Sequence, residues 1–402
     1  MVLNRLLPLL LLTLLAAATL TARDVEARFT TDKTIYLAGE PVLVALTVSN
    51  KGDEPVWIDF KSPDLAKLLC DDFAVEVTGA ESAQEQWGCG FAGSCGRSFR
   101  EVLPGKSLSL RQLVNSQFRL QPGIYAIRAH TAIVVHAQNL FDSPQIAQFD
   151  ATDTLTVKVQ RGNENQLKAA FQPFVEELDS PDLMKRNEAA GAIIGLAPPL
   201  LEDVLVELTK SSYAYAAISA LRRADTLKTR EALAQIATGT GDSTLRIQAI
   251  RNLGRAGDVT YLPALLRLLQ SDDKQIQNAA AEAAGNLGGS AAVPQLAALA
   301  LSPDAETRRA GTNGLGDAHA SQAVPILIGL LLDSDPNVRQ AAVGGLSLLT
   351  HRGAFEGNQW ADVASPQSAP AVHQRWVSWW NSHGKDSKIH GMADCAPAES
   401  LD

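Results

Sequence analysis

Residues 273–285 read DKQIQNAAAEAAG, and residues 304–316, which lie 31 positions further along, read DAETRRAGTNGLG. The aspartate that opens each stretch recurs at this interval, and so does the position four residues after it. These positions are Asp242, Asp273, Asp304 and Asp335, followed by Arg246, Gln277, Arg308 and Arg339. Repeats with periods of about 20 to 50 residues are typical of solenoids. The period therefore decides the fold of the second half of the chain.

Each recurring position has a physical role in a pair of helices. The aspartate is placed to cap the first helix, where its carboxylate accepts from free backbone amides. Gly254, Gly285 and Gly316 are predicted to mark the end of that helix. A proline then opens the second helix, whose leucines face inward. The recurring prolines are Pro263, Pro294 and Pro325, and the recurring leucines are Leu265, Leu296 and Leu327. One such hairpin cannot bury its own apolar face, so the copies must stack.

Earlier copies of the repeat are more divergent. Asp182 and Arg186 keep the spacing of the Asp242 copy, and a weak copy containing Ile218 lies between, which gives about six repeats over residues 165–350. The pattern resembles HEAT repeats, particularly the short bacterial type also found in phycobilin lyases. The resemblance implies a scaffold for protein partners. It also implies that the aspartates, with Arg246, Arg308 and Arg339, cap helices and tie repeats together. The alternative is an electrostatic ladder along a concave binding face.

The region of residues 28–160 shows short strands separated by turns. Val42, Val44, Leu46 and Val48 follow the period of two that a strand requires, and further strands are predicted at 73–77, 108–113, 124–135 and 154–159. Two segments, residues 36–42 and 120–129, resemble the turn-then-strand signatures of immunoglobulin-like domains in bacterial surface and periplasmic proteins. The predicted fold class is therefore multidomain β + α, an immunoglobulin-like β-sandwich followed by an α-α solenoid.

The N-terminus has the layout of a secretory signal peptide. Arg5 precedes an apolar run that extends to Leu20, and small residues follow up to Ala22. We predict a signal peptide over residues 1–22, with cleavage after Ala22 or after Ala27. The run is shorter than the roughly 20 apolar residues of a membrane helix, so an exported chain, periplasmic or extracellular, without a transmembrane segment is expected. The alternative is an uncleaved membrane anchor.

Four cysteines would meet an oxidising compartment after export. Cys89 and Cys95 flank a Gly-rich stretch and form the preferred disulfide, while Cys70 and Cys395 either join the tail to the sandwich or stay free. The spacing does not offer the close ligand pairs of a zinc site.

The region of residues 351–383 comprises an insertion and a tryptophan-rich last helix, and a polar tail follows over residues 384–402. Trp376, Trp379 and Trp380 form an aromatic stripe, with Trp360 nearby. These tryptophans either cap the open end of the solenoid or stack on a sugar or a peptide.

The composition and the motifs exclude several classes of function. The chain carries 35 basic and 44 acidic residues, a net charge of −9, which argues against a nucleic-acid partner. Motifs for nucleotide binding and for zinc proteolysis are absent from the sequence. We therefore expect a scaffold that binds protein partners, is not an enzyme, and uses no cofactor or metal. Two alternatives are a binding or inhibitory module built on the sandwich around residues 89–95, and an enzyme with a nonstandard site near His373 and Trp376.

Overall fold

A computed structural model of the chain describes residues 24–61, 73–79, 84–85, 97–139, 145–350 and 359–382. The predicted signal peptide, all four cysteines and the polar tail lie outside these residues. The chain divides into two compact units, with the boundary at Arg161 and Gly162. The predicted order, a β region followed by a helical repeat region, is confirmed.

The first unit is made of strands. They are β1 Val25–Thr31, β2 Ile35–Leu37, β3 Leu43–Asn50, β4 Val56–Lys61, β5 Ala74–Gly79, β6 Gln84–Glu85, β7 Arg97–Val102, β8 Ser107–Leu113, β9 Phe118–Arg119, β10 Gly123–His136 and β11 Gln145–Gln160.

Two sheets of this unit share one buried core. A three-stranded sheet has the order β1-β3-β8, and a six-stranded sheet has the order β2-β11-β10-β4-β7 with β5 paired to β10. Alternate residues of β3, namely Val44, Leu46 and Val48, face the core, where they join Ile58 of β4 and Ile127 of β10. The period of two in the sequence therefore reflects one buried face of each sheet.

The second unit is made of helices. They are α1 Glu164–Glu177, α2 Leu183–Leu196, α3 Glu202–Leu208, α4 Ala214–Ala224, α5 Leu227–Thr238, α6 Ser243–Gly254, α7 Leu262–Leu268, α8 Lys274–Gly288, α9 Val293–Leu299, α10 Ala305–Asp317, α11 Ala323–Leu330, α12 Pro336–Thr350, α13 Gln359–Ala364 and α14 Ala369–Ser382. From α2 onward they form hairpins of a first and a second helix, α2 with α3, α4 with α5, α6 with α7, α8 with α9 and α10 with α11. The helix α12 then opens the last copy.

The first helices begin at the repeating aspartates. The carboxylate of Asp242 accepts from the amide of Leu245 at 3.0 Å, and that of Asp304 accepts from the amide of Thr307 at 3.0 Å. Asp273 and Asp335 stand at the equivalent positions of α8 and α12. Each aspartate satisfies amides that have no partner inside the helix and places a negative charge at the positive end of the helix dipole.

The glycine column has a further role beyond the predicted one. Gly254 ends α6, but α8 continues past Gly285 to Gly288, and α10 ends one residue after Gly316. A Cβ on Gly285 would lie 2.2 Å from the carbonyl oxygen of Gly314, and one on Gly316 would lie 2.7 Å from the Cα of Gly345. The prediction that the column marks helix ends is thus confirmed for α6, correct to within one residue for α10, and wrong for α8. The glycines are needed because the backbones of neighbouring first helices approach closely.

Candidate binding groove on the first helices

An open groove of about 480 Å³ runs across the first helices of four successive hairpins, α4, α6, α8 and α10. We call it the first-helix groove. Most of its lining side chains are polar or charged, and they are Tyr215, Thr244, Ile247, Gln248, Arg251, Lys274, Gln275, Asn278, Glu306 and Arg309.

The repeat itself places these residues side by side. Thr244, Gln275 and Glu306 are 31 residues apart and occupy one position on successive first helices. The position three residues later is Ile247, Asn278 and Arg309. Residues three apart share one face of a helix, so the two positions together form the two sides of a continuous strip.

Hydrogen bonds between neighbouring helices fix the polar floor of the groove. The amide of Gln248 donates to the hydroxyl of Ser219 at 2.8 Å and links α6 to α4. The amide of Asn313 donates to Oδ1 of Asn278 at 3.1 Å and links α10 to α8. The same Asn278 donates to Oε1 of Glu282 at 2.7 Å. These contacts hold polar side chains in register from one helix to the next.

The three cations of the groove differ in their surroundings. Lys274 lies 2.9 Å from a carboxylate oxygen of Asp304 and donates to the hydroxyl of Thr307. Nε of Arg251 is 3.9 Å from Oε2 of Glu282, a long contact between two side chains that are both partly exposed. The half-buried Arg309 makes neither a hydrogen bond nor an ion pair with any residue that the structure describes. Arg309 is therefore the cation of the groove that is most available to a ligand.

Two aspartates at opposite ends of α10 have pKa values that are shifted in opposite directions. Hydrogen bonds from the Thr307 hydroxyl and from Lys274 hold the pKa of Asp304, at the start of α10, far below its usual range. Burial raises the pKa of Asp317, the last residue of α10, to about 7, and the charge of Glu282 adds to this shift while Arg255 opposes it. At neutral pH, a carboxyl group that is partly protonated thus lies beside the carboxylate of Glu282.

The arginines singled out from the sequence lie in the first turns of α6, α10 and α12, and they do not line the groove. Arg308 pairs with both carboxylate oxygens of Asp333, at 2.8 and 2.9 Å. Arg339 is buried and donates to the carbonyls of Asp333 and Ala364, both at 2.7 Å. Arg246 makes a longer contact, 3.4 Å, to the carbonyl of Ala237. These guanidinium groups are occupied by contacts within the protein.

The tryptophans of α14 are largely inside the protein. Trp376 is fully buried, and its ring meets that of Trp379 edge to face with centroids 5.5 Å apart. Trp380 is half-buried, and Trp360 belongs to α13. In this position Trp376 fills space between helices and offers no open face to a sugar or a peptide.

Sequence reasoning missed every residue of the groove. The period marks positions that keep their residue type because the same contact recurs in each copy. Positions such as Ile247, Asn278 and Arg309 change type from copy to copy because they face the groove. A search for positions on the first helix whose residue type varies from copy to copy would have found these three.

Within the described parts of the chain, side chains of His, Cys, Asp and Glu form no group of three that could hold a metal ion. None of the described helices is both long and apolar enough to cross a membrane.

Comparison with known proteins identifies the repeat. A family model for HEAT repeats matches residues 230–316 and 296–357, so the helical unit contains HEAT repeats. No curated protein matches the chain significantly.

Several solved structures are similar to this chain at low identity. Human deoxyhypusine hydroxylase in complex with glycerol is 20% identical, with a TM-score of 0.26, and the match covers 45% of this chain and 73% of the hydroxylase. The complex of CpcE and CpcF of phycocyanin lyase from Nostoc sp. PCC7120 is 19% identical, with a TM-score of 0.28, covering 51% of this chain and 83% of the other. An engineered protein is 23% identical, with a TM-score of 0.22, covering 46% and 81%.

The expectation that this chain is not an enzyme is corrected by these matches. A hydroxylase and a lyase are among the similar structures. At these identities and scores, neither activity is transferred to this chain.

Proposed function

We propose that the protein binds a partner protein by holding an extended segment of it in the first-helix groove. One observation carries the proposal: four successive first helices present a continuous open strip of mostly polar side chains. The HEAT repeats of residues 230–357 support it, because stacked hairpins offer an extended surface to protein partners.

The dimensions and chemistry of the strip suit an extended chain. Packed helices lie about 8–10 Å apart and an extended chain advances about 3.3 Å per residue, so about three residues span one helix step and about nine span the groove. The exposed side-chain amide of Gln275 can both donate to and accept from the main chain of such a segment. Tyr215, which is 54% exposed, adds an aromatic surface at one end.

We also propose that the protein is exported and that its first unit is an immunoglobulin-like sandwich. The hydroxyl of Tyr125 donates to the carbonyl of Gln121 at 2.9 Å, just upstream of β10. A tyrosine bonded back to the main chain in this way is typical of such sandwiches. The two sheets around one core agree with this assignment.

A photo-cross-linking amino acid at position 275 tests the site. Gln275 is an exposed residue of the groove, and Gln295 is an equally exposed glutamine on α9, the second helix of the same hairpin. The full-length protein carrying the probe at either position is irradiated with an extract of its native compartment, and adducts are identified by mass spectrometry. We expect one specific protein adduct from position 275 and none from position 295.

Equal adducts from both positions, or none from position 275, would overturn the proposal. Circular dichroism and thermal unfolding of both labelled proteins serve as the control for folding.

A further inference from the structure

We infer that the segment held in the first-helix groove is acidic and that one of its carboxylates pairs with Arg309. This inference rests on the proposed function and adds the chemistry of the partner.

The charge of the groove is opposite to that of the whole chain. Its lining contains three cationic side chains, Arg251, Lys274 and Arg309, and one acidic side chain, Glu306. The chain as a whole carries 35 basic and 44 acidic residues. A locally positive strip on a negatively charged protein favours encounter with an acidic segment and disfavours a basic one.

The contacts that these three cations make within the protein indicate that Arg309 is the one that binds a carboxylate of the partner. Asp304 and Thr307 occupy Lys274, and Glu282 lies near Arg251. Arg309 makes no such contact with the described residues and is half-buried on α10, which limits the freedom that its side chain loses on binding. A guanidinium group presents two parallel donors to a carboxylate, an arrangement that a lysine cannot match.

The acidic neighbours of the groove determine how the negative charges of the segment are spaced. Glu306 lies one helical turn before Arg309, and Glu282 lies beside Arg251. A continuous run of negative charges, as in a nucleic acid, would be repelled by these two carboxylates. A peptide with separated carboxylates and neutral residues between them avoids this repulsion. The acidic segment is therefore part of a protein.

Fluorescence anisotropy with the full-length protein tests this inference. The probes are three labelled peptides of about nine residues, with Asp, Asn or Lys at about every third position and Ser or Gly elsewhere. Two variants are compared, Arg309→Gln in the groove and Arg267→Gln on the second helix α7. Arg267 is exposed and makes no hydrogen bond or ion pair with described residues, so the control removes the same charge outside the groove.

We expect the Asp peptide to bind most tightly and the Lys peptide most weakly. Arg309→Gln should weaken the Asp peptide about fivefold or more, and Arg267→Gln should change it less than about twofold. Added salt should reduce the preference for Asp over Asn, because exposed charges are screened.

Absence of binding by the Asp peptide, equal binding of the Asp and Asn peptides, or equal loss in the two variants would overturn the inference. The photo-cross-linking experiment at position 275 shows whether the proposed function fails together with this inference. If the adduct persists, the groove holds a segment that is not acidic; if it is also absent, both proposals fail.

Discussion

At the scale of single residues, the two ends of α10 show how position along a helix sets the effect of a carboxylate. Asp304 opens the helix and receives hydrogen bonds that stabilise its charge. Asp317 ends the helix, where a negative charge opposes the dipole and burial removes water from it. Charged Asp304 therefore stabilises the fold, whereas charged Asp317 destabilises it.

Replacing Asp317 should change the pH dependence of stability. The pKa of Asp317 is raised from 3.8 to about 7, so between these pH values the unfolded chain has lost a proton that the folded chain still holds. Stability thus falls as pH rises through this window and is constant above it. We expect Asp317→Asn to remove this fall and to raise the free energy of unfolding at pH 8 by on the order of 2 kcal/mol. Thermal unfolding from pH 4 to pH 8 measures it.

The matched control lies on the same helix. Asp304→Asn should lower the unfolding temperature at neutral pH, because it removes the negative charge that pairs with Lys274 and interacts favourably with the start of the α10 dipole, while the asparagine can still cap the helix. Parallel pH profiles for Asp317→Asn and the unchanged protein would show that Asp317 does not titrate in this window.

At the scale of helices, the stack depends on glycines that allow backbones to touch. We expect Gly285→Ala to lower the free energy of unfolding by about 1–3 kcal/mol, because its Cβ would lie 2.2 Å from a backbone oxygen of α10. Gly329, inside α11, has open space where a Cβ would go. Gly329→Ala should therefore stabilise by about 0.5–1 kcal/mol, because alanine is the better helix former. Urea unfolding compares the two, and a Gly285→Ala variant that is as stable as the unchanged protein would contradict the close approach of α8 and α10.

At the scale of the whole molecule, the sequence predicted those elements in which the same contact recurs and therefore fixes the residue type. The period of 31 residues located the helical hairpins, because Asp273 must cap and Leu296 must be buried in every copy. The alternation in residues 42–48 located β3 for the same reason, since one face of the strand is buried.

The remaining features depend on geometry between elements. Gly285 resembles a helix-ending glycine in sequence, and only the carbonyl of Gly314 against it reveals its role. The groove is built from positions whose residue type varies, such as Asn278 and Arg309, so a periodic pattern cannot mark them. The availability of Arg309 also depends on where Asp304 and Glu282 point, which the sequence does not contain.

The mature molecule should begin at Arg23. The sequence allows cleavage after Ala22 or after Ala27, but β1 starts at Val25, which is 3% exposed and pairs with Asn50. The carbonyl of Asp24 also accepts from the amide of Lys51 at 2.6 Å. Cleavage after Ala27 would remove three residues of β1, including a buried valine, and would leave one end of β3 paired with β8 alone.

We therefore expect an export-competent host that makes the full precursor to release a protein whose intact mass and first residues correspond to Arg23. A deletion of residues 23–27 serves as the control and should unfold at lower temperature, because the first sheet loses one end of its edge strand. A folded mature protein that begins at Arg28 would show that these residues of β1 are dispensable, and a chain that retains Met1 would contradict processing altogether.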